Sequence, residues 1–227
     1  MRSRHHPQEV PLAELSGAAA QEPPADAVDT SWDAYYRHTV GREPRPLFVR
    51  GMAAQQAAGN APGQAVEIGF GDGTETLALL TAGWHVLAVD PTPTAADGLR
   101  ARVPAMDGNL EIQTSTAQAA DLPSFDLLYA GYALSFIEPV AFPTFWTTVR
   151  ERLRPGGFLI VNIFGVRDTW ADDPVMKFVD RGELDQLLDS LDVVEILEED
   201  KDGDSFIGRK HWHVFDVIAR RPPGADS

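Results

Sequence analysis

The chain has 227 residues, of which 44% are hydrophobic and 23% charged, enough for one domain with a full core and no need of disulfide or metal staples. Nineteen Lys and Arg stand against 34 Asp and Glu, a formal charge of −15, which repels a phosphate backbone and disfavours a nucleic-acid partner. Cysteine is absent, so thiolate nucleophiles, iron–sulfur clusters and cysteine zinc sites are excluded. The longest strongly apolar run, 158–164, is too short to span a bilayer, and the first residues lack the apolar core of a signal peptide. A soluble cytoplasmic protein without membrane partners is expected, working as a monomer or homodimer.

Residues 1–30 are rich in Ala, Pro, Glu and Gln and read as a disordered tail; His5 and His6 within it cannot fill a metal shell by themselves. Trp32, Tyr35 and Tyr36 then arrive together, followed by a Pro- and Arg-containing turn and a helix from Leu47 to about residue 58. Residues 31–60 read as an N-terminal helical lid. From Ala65 onward strand and helix alternate: strands over 65–70, 84–90, 110–114, 125–130 and 158–164, with helices over 74–82, 94–103, 142–153 and around 184–191. Two last strands, 193–197 and 211–219, are joined by an acidic turn too short for a parallel crossover and are expected to form an antiparallel hairpin. The pattern predicts an α/β fold, a mostly parallel sheet covered on both faces, occupying 31–221 and followed by a disordered 222–227.

The sharpest motif is Glu67-Ile-Gly69-Phe70-Gly71-Asp72-Gly73-Thr74, immediately after a strand and before a helix. Glycines there let a nucleoside approach the backbone, so the bend is expected to be bare of side chains. Asp90 ends the next strand, 21 residues after Gly69, where a carboxylate can accept both ribose hydroxyls. A dinucleotide site would want a glycine at the place Thr74 holds, and the acids at 67 and 72 would repel a pyrophosphate. A cationic nucleoside without phosphate, S-adenosylmethionine, suits the loop better; an NAD-type oxidoreductase is the weaker alternative.

With Asp90 downstream, this motif resembles the cofactor signature of class I S-adenosylmethionine-dependent methyltransferases, from about Trp32 to Arg221. The stretches 129–136, 164–170 and 210–215 are similar to the tellurite-resistance and thiopurine methyltransferase-like, bacterial small-molecule group. The resemblance implies a Rossmann-like seven-stranded sheet of order 3-2-1-4-5-7-6 with strand 7 antiparallel. It implies S-adenosyl-L-methionine as cofactor and methyl transfer to a small-molecule acceptor, at O, N, S or a chalcogen, by in-line displacement. Use of the cofactor for a non-methylating step, or binding without turnover, is the alternative. By position, Glu67, Gly69, Phe70, Gly71 and Gly73 would serve the loop and the methionine part, Asp90 and Pro91 the ribose. Gln118, in the slot of a usual acid, and Ala119 would serve adenine, with Ala130 and Gly131 beneath the sulfonium.

Chemistry-bearing residues collect at the expected carboxyl edge of the sheet. Tyr132, Ser135 and Phe136 follow strand four, Arg167, Asp168 and Trp170 follow strand five, and His211, Trp212 and His213 open the last strand. His213 and Asp168 are the candidate catalytic bases. Trp32, Tyr35, Tyr36, Tyr132, Phe136, Arg167 and His211 are candidates for substrate contact or the lid, and Arg42 with Arg45 for the methionine carboxylate. No metal is expected, because His211 and His213 have no evident third ligand.

Overall fold

The computed structural model describes residues 30–103, 108–206 and 208–224; of the expected tail 1–30 all but Thr30 lies outside these, and of the expected disordered end 222–227 residues 225–227 do. In chain order the elements are α1 (Thr30–Thr39), α2 (Pro46–Ala57), β1 (Gln64–Ile68), α3 (Thr74–Thr81), β2 (His85–Asp90), α4 (Pro93–Arg102) and β3 (Leu110–Thr114). They continue with β4 (Phe125–Ala130), α5 (Phe142–Arg152), β5 (Leu153–Gly165), β6 (Phe178–Val179), α6 (Arg181–Leu187), β7 (Asp192–Ser205) and β8 (Gly208–Arg220).

Apolar residues on alternate strand positions place one set of side chains on each face of the sheet, and both faces are covered. On one face Leu127, Tyr129, Phe158 and Ile160 pack with Leu47 and Phe48 of α2, Leu79 and Leu80 of α3 and Leu99 of α4. On the other, Leu128, Ala130, Leu159 and Val161 meet Phe145, Trp146 and Val149 of α5 and Leu184 beside them. Gly51 lets α2 lie directly on β5, since a Cβ there would sit 2.5 Å from Ile160.

The sheet order is β3-β2-β1-β4-β5-β8-β7, with β1 to β5 parallel and β8 antiparallel to both its neighbours. This is the expected order, with the last hairpin as strands 7 and 6, but the sheet has eight strands rather than seven. The addition is the two-residue β6, which pairs with the end of β5. The hairpin is also longer than the apolar pattern indicated: β7 runs 14 residues because its acidic outer half still keeps register with β8, from Asp192 opposite Arg220 to Ser205 opposite Gly208. No helix among the described residues is long and apolar enough to cross a membrane.

Candidate active site

The parallel strands β1, β2, β3, β4 and β5 all end at one edge, and a cavity of about 370 Å³ lies along it. Its first wall is the loop after β1. Gly69, Gly71 and Gly73 have φ of +70°, +51° and +73°, a region that costs an L side chain roughly 1–2 kcal/mol. The Gly69 amide donates to the Val89 carbonyl (2.7 Å), pinning the loop to β2. Asp90 closes it: one carboxylate oxygen accepts from the Gly71 amide (3.0 Å), the other from the Thr92 amide (2.9 Å). Burial pushes the Asp90 carboxyl up, against the pull of these amides.

The bend is not bare. The Tyr36 hydroxyl donates to Asp90 (3.2 Å), and a Cβ on Gly71 would lie 2.9 Å from the Tyr36 ring. α1 thus covers the loop from above, with Trp32, Tyr35 and Tyr36 all lining the cavity. Burial beside Asp90 pushes the Tyr36 phenol far up, so the hydroxyl keeps its proton and acts as a donor.

Three buried side-chain polar atoms of the described residues have no hydrogen-bond partner: Arg42 Nε, Ser115 Oγ and Tyr129 OH. All three belong to residues that line this cavity. An orphaned buried polar atom is costly unless a ligand or water satisfies it. Ser115 stands past the end of β3, beside Thr116, Ala117 and Gln118; Arg42 and Tyr129 stand on the side of the glycine loop. The polar strip therefore runs past Asp90, with donors at both ends and a backbone cradle between. That donor set fits an adenosyl amino acid, which carries a nucleobase at one end and an ammonium and carboxylate at the other.

The remaining walls are aromatic. Tyr132, Phe136, Phe164, Trp170 and Trp212 join Trp32 there. Tyr132 adopts φ +57°, a rare conformation for a bulky residue. Its amide is held by the side-chain oxygen of buried Asn162 on β5 (2.6 Å). Burial raises its phenol to about 12.

Of the expected contacts, Gly69, Phe70, Gly71, Pro91, Gln118, Gly131, Arg42, Trp32, Tyr35, Tyr36, Tyr132 and Phe136 line the cavity. Glu67, Gly73, Asp90, Ala119 and Ala130 do not line it but back it or flank it. Glu67 is fully buried and accepts from the Thr76 hydroxyl (2.5 Å), and burial beside Glu75 raises its carboxyl well above the usual range. Arg42 differs from expectation: its guanidinium grips Glu75 with two bonds (2.7 and 2.5 Å) and reaches Asp72 (3.3 Å), leaving only Nε for a ligand.

Both candidate bases are corrected. Asp168 is paired with buried Lys210 (2.6 Å) and accepts from the Trp170 and His213 amides. His213, fully buried, accepts the Arg167 amide on Nδ1 (3.0 Å), which leaves Nε2 as donor to Glu198 (3.0 Å). Both nitrogens are used, and neither residue lines the cavity. Arg167 and His211 are also outside it: the exposed Arg167 bridges Glu198 and Asp200, and His211 lies between Asp200 and Asp202. His213 does have acid neighbours suited to a metal, Glu198 and Asp200, contrary to expectation. The Arg167 guanidinium already bridges that pair of carboxylates.

Sequence reasoning missed Ser115, Tyr129 and Asn162. Tyr129 and Asn162 read as interior strand positions, and only their polar atoms at buried places signal a site.

Residues 65–157 match the family described as "Methyltransferase domain". A comparison with curated protein sequences gives no significant match. Among solved structures, the chain is similar to TehB from Haemophilus influenzae, with a TM-score of 0.62 at 18% identity, over 75% of this chain and 62% of that one. The chain thus spans less than two thirds of the length of TehB. It is similar to the N-methyltransferase NodS from Bradyrhizobium japonicum (TM-score 0.60, 17% identity, 85% of this chain and 98% of that one). A third similar structure is the 1,6-didemethyltoxoflavin-N1-methyltransferase of Burkholderia thailandensis (TM-score 0.58, 19% identity, 91% and 93%). At such identities the likeness shows the fold alone. Residues 65–157 thus match a methyltransferase domain, and the sheet that contains them has the mostly parallel, Rossmann-like fold of the methyltransferases to which the chain is similar.

Proposed function

We propose that the protein is an enzyme that transfers a methyl group from S-adenosylmethionine to a small-molecule acceptor held in the aromatic half of the cavity. The reading places it with the small-molecule methyltransferases, and residues 31–60 act as the lid. The observation that carries it is the coincidence of three orphaned buried polar atoms with one cavity beside Asp90.

The bound cofactor would supply a methyl group on a sulfonium, a leaving group that is already activated. Asp90 would hold the ribose hydroxyls, taking them in place of the Tyr36 hydroxyl. Ser115 and Gln118 would face the base. Tyr129 and the free Nε of Arg42 would face the amino-acid end, where Glu75 and Asp72 balance the Arg42 charge. Tyr132, clamped by Asn162, and Gly131 beneath it form the floor between the two halves.

The lining residues supply alignment and dryness rather than a base. Tyr132, raised to about 12, stays protonated at neutral pH. Alignment of two reactants contributes roughly 7–11 kcal/mol, against about 3–5 kcal/mol for a general base. An acceptor that is ionised or soft needs only the first.

The test is calorimetry with S-adenosylhomocysteine and NAD, followed by product release on adding pooled small-molecule acceptors with S-adenosylmethionine. Binding of the homocysteine nucleoside and acceptor-dependent release of it are expected. Binding of NAD alone would overturn the reading.

A further inference from the structure

Arg45 stands at the start of α2 and faces the cavity, yet no carboxylate among the described residues pairs with its guanidinium. One nitrogen donates to the Tyr35 hydroxyl (2.9 Å), and the guanidinium carbon lies 4.8 Å from the centre of the Tyr132 ring. Its neighbour Arg42 differs in kind, because Glu75 and Asp72 already neutralise it. Glu75 touches Arg45 only through the backbone amide (2.9 Å). The exposed carboxylate at the cavity wall, Glu138, has no ion pair with Arg45 either. A cation in such a place asks for an anion from the ligand.

The cavity divides in two. The glycine loop, backed by Asp90, and Ser115–Gln118 make a polar half, whose orphaned atoms suffice for an adenosyl amino acid. Arg45 lies toward the other half, over Tyr132. There the rings run on without a break: Tyr132 to Trp212 (5.9 Å), Trp212 to Trp170 (5.9 Å), Trp170 to Phe164 (5.7 Å), and Phe136 to Trp32 (5.2 Å) on the lid. A wall of edge-to-face and tilted rings suits a flat aromatic guest.

An aromatic box can also hold a cation, so the charge of the guest has to be decided. The rings here are already spoken for. Lys210 Nζ sits 3.2 Å from the Trp170 ring centre and 4.0 Å from that of Trp212, and Arg45 covers Tyr132. A cationic acceptor would meet the Arg45 guanidinium and would compete for ring faces with it and with Lys210, whose own charge Asp168 already balances. An anionic one would meet the unpaired guanidinium.

We infer that the acceptor is a planar aromatic molecule with an anionic substituent, its ring against Tyr132 and the tryptophans and its anion on Arg45. This rests on the methyl-transfer reading, and it makes Arg45 the residue that selects the acceptor.

The test uses the full chain loaded with S-adenosylhomocysteine and follows tryptophan fluorescence on titration with 4-hydroxybenzoate, 4-hydroxybenzamide and 4-hydroxybenzylamine. The carboxylate is expected to bind at least about tenfold tighter than the amide, and the amine weakest. Arg45→Gln should abolish the preference for the carboxylate while Arg45→Lys keeps part of it, and all three proteins should bind S-adenosylhomocysteine with equal affinity. Equal binding of carboxylate and amide by the wild type would overturn the inference. So would a loss of S-adenosylhomocysteine affinity in Arg45→Gln matching the loss of carboxylate affinity, since Arg45 would then hold the cofactor. Failure of the wild type to bind S-adenosylhomocysteine at all would instead refute the methyl-transfer reading and this inference with it.

Discussion

Asp90→Asn is the most informative single change, because both carboxylate oxygens are committed. One accepts from the Gly71 amide and the other from the Thr92 amide, with Tyr36 reaching both (3.2 and 3.4 Å). An asparagine offers one acceptor and one donor, so one backbone amide faces an NH₂ group, at about 1–3 kcal/mol of stability. A ribose diol would also lose one of two bonds to an ionised acceptor, about 1.5–3 kcal/mol, or about ten- to hundredfold in affinity. Tyr36→Phe acts in the opposite direction. It removes the hydroxyl that competes for Asp90 and should tighten nucleoside binding by up to about fivefold, the worth of one ordinary hydrogen bond. Calorimetry with S-adenosylhomocysteine on the two variants and their double mutant reads both effects, with thermal melting to confirm that each is folded. A folded Asp90→Asn protein that binds within threefold of wild type would refute the assignment of the ribose to Asp90.

Other expectations follow from the same geometry. Gly71→Val forces a branched residue to φ +51° with its Cβ against the Tyr36 ring, and should cost at least about tenfold in nucleoside affinity by calorimetry. His213→Ala should lower the melting temperature by removing a buried ring whose two nitrogens are bonded, about 2–4 kcal/mol, yet leave kcat within about threefold; a hundredfold fall in kcat would restore it as a base. Lys210, lowered to about 8 by burial, should lose its proton near that pH and shift the emission of Trp170 and Trp212 with the same midpoint, a transition absent in Lys210→Met. Between about pH 8 and its ordinary value the folded chain holds one proton fewer there than the unfolded chain, so this group makes stability rise with pH across that window. Glu67 works the other way: above the usual carboxylate range the folded chain retains a proton that the unfolded chain has lost, so its contribution falls as pH rises. Glu67→Gln should therefore melt higher relative to wild type at neutral pH than at pH 4, and no change in that difference would contradict the shift.

The strand–helix alternation and the glycine loop with Asp90 were readable because their signals are local: an apolar run, a bend, an acid at a strand end. Charge partners were not. Arg42 pairs with Glu75, 33 residues on, and Tyr36 meets Asp90 across 54 residues, distances at which sequence spacing carries no information. His213 read as a base because a histidine at the expected edge of the sheet is chemically able. Its neighbours Glu198 and the Arg167 amide come from the register of β7 on β8 and from the turn after β5, which only the fold decides. The length of β7 was hidden for a related reason. Its acidic residues read as a solvated turn, whereas their backbones pair with β8 along the whole hairpin. The orphaned atoms of Ser115 and Tyr129 are properties of burial, visible only once the chain is closed around them.

The most direct measurement is a crystal structure of the chain with S-adenosylhomocysteine. The account predicts the ribose hydroxyls on Asp90, the Tyr36 hydroxyl displaced from it, and ligand atoms bonded to Ser115 Oγ, Tyr129 OH and Arg42 Nε. A ligand bound elsewhere, or one that leaves Tyr36 on Asp90 and those three atoms unpaired, would contradict it.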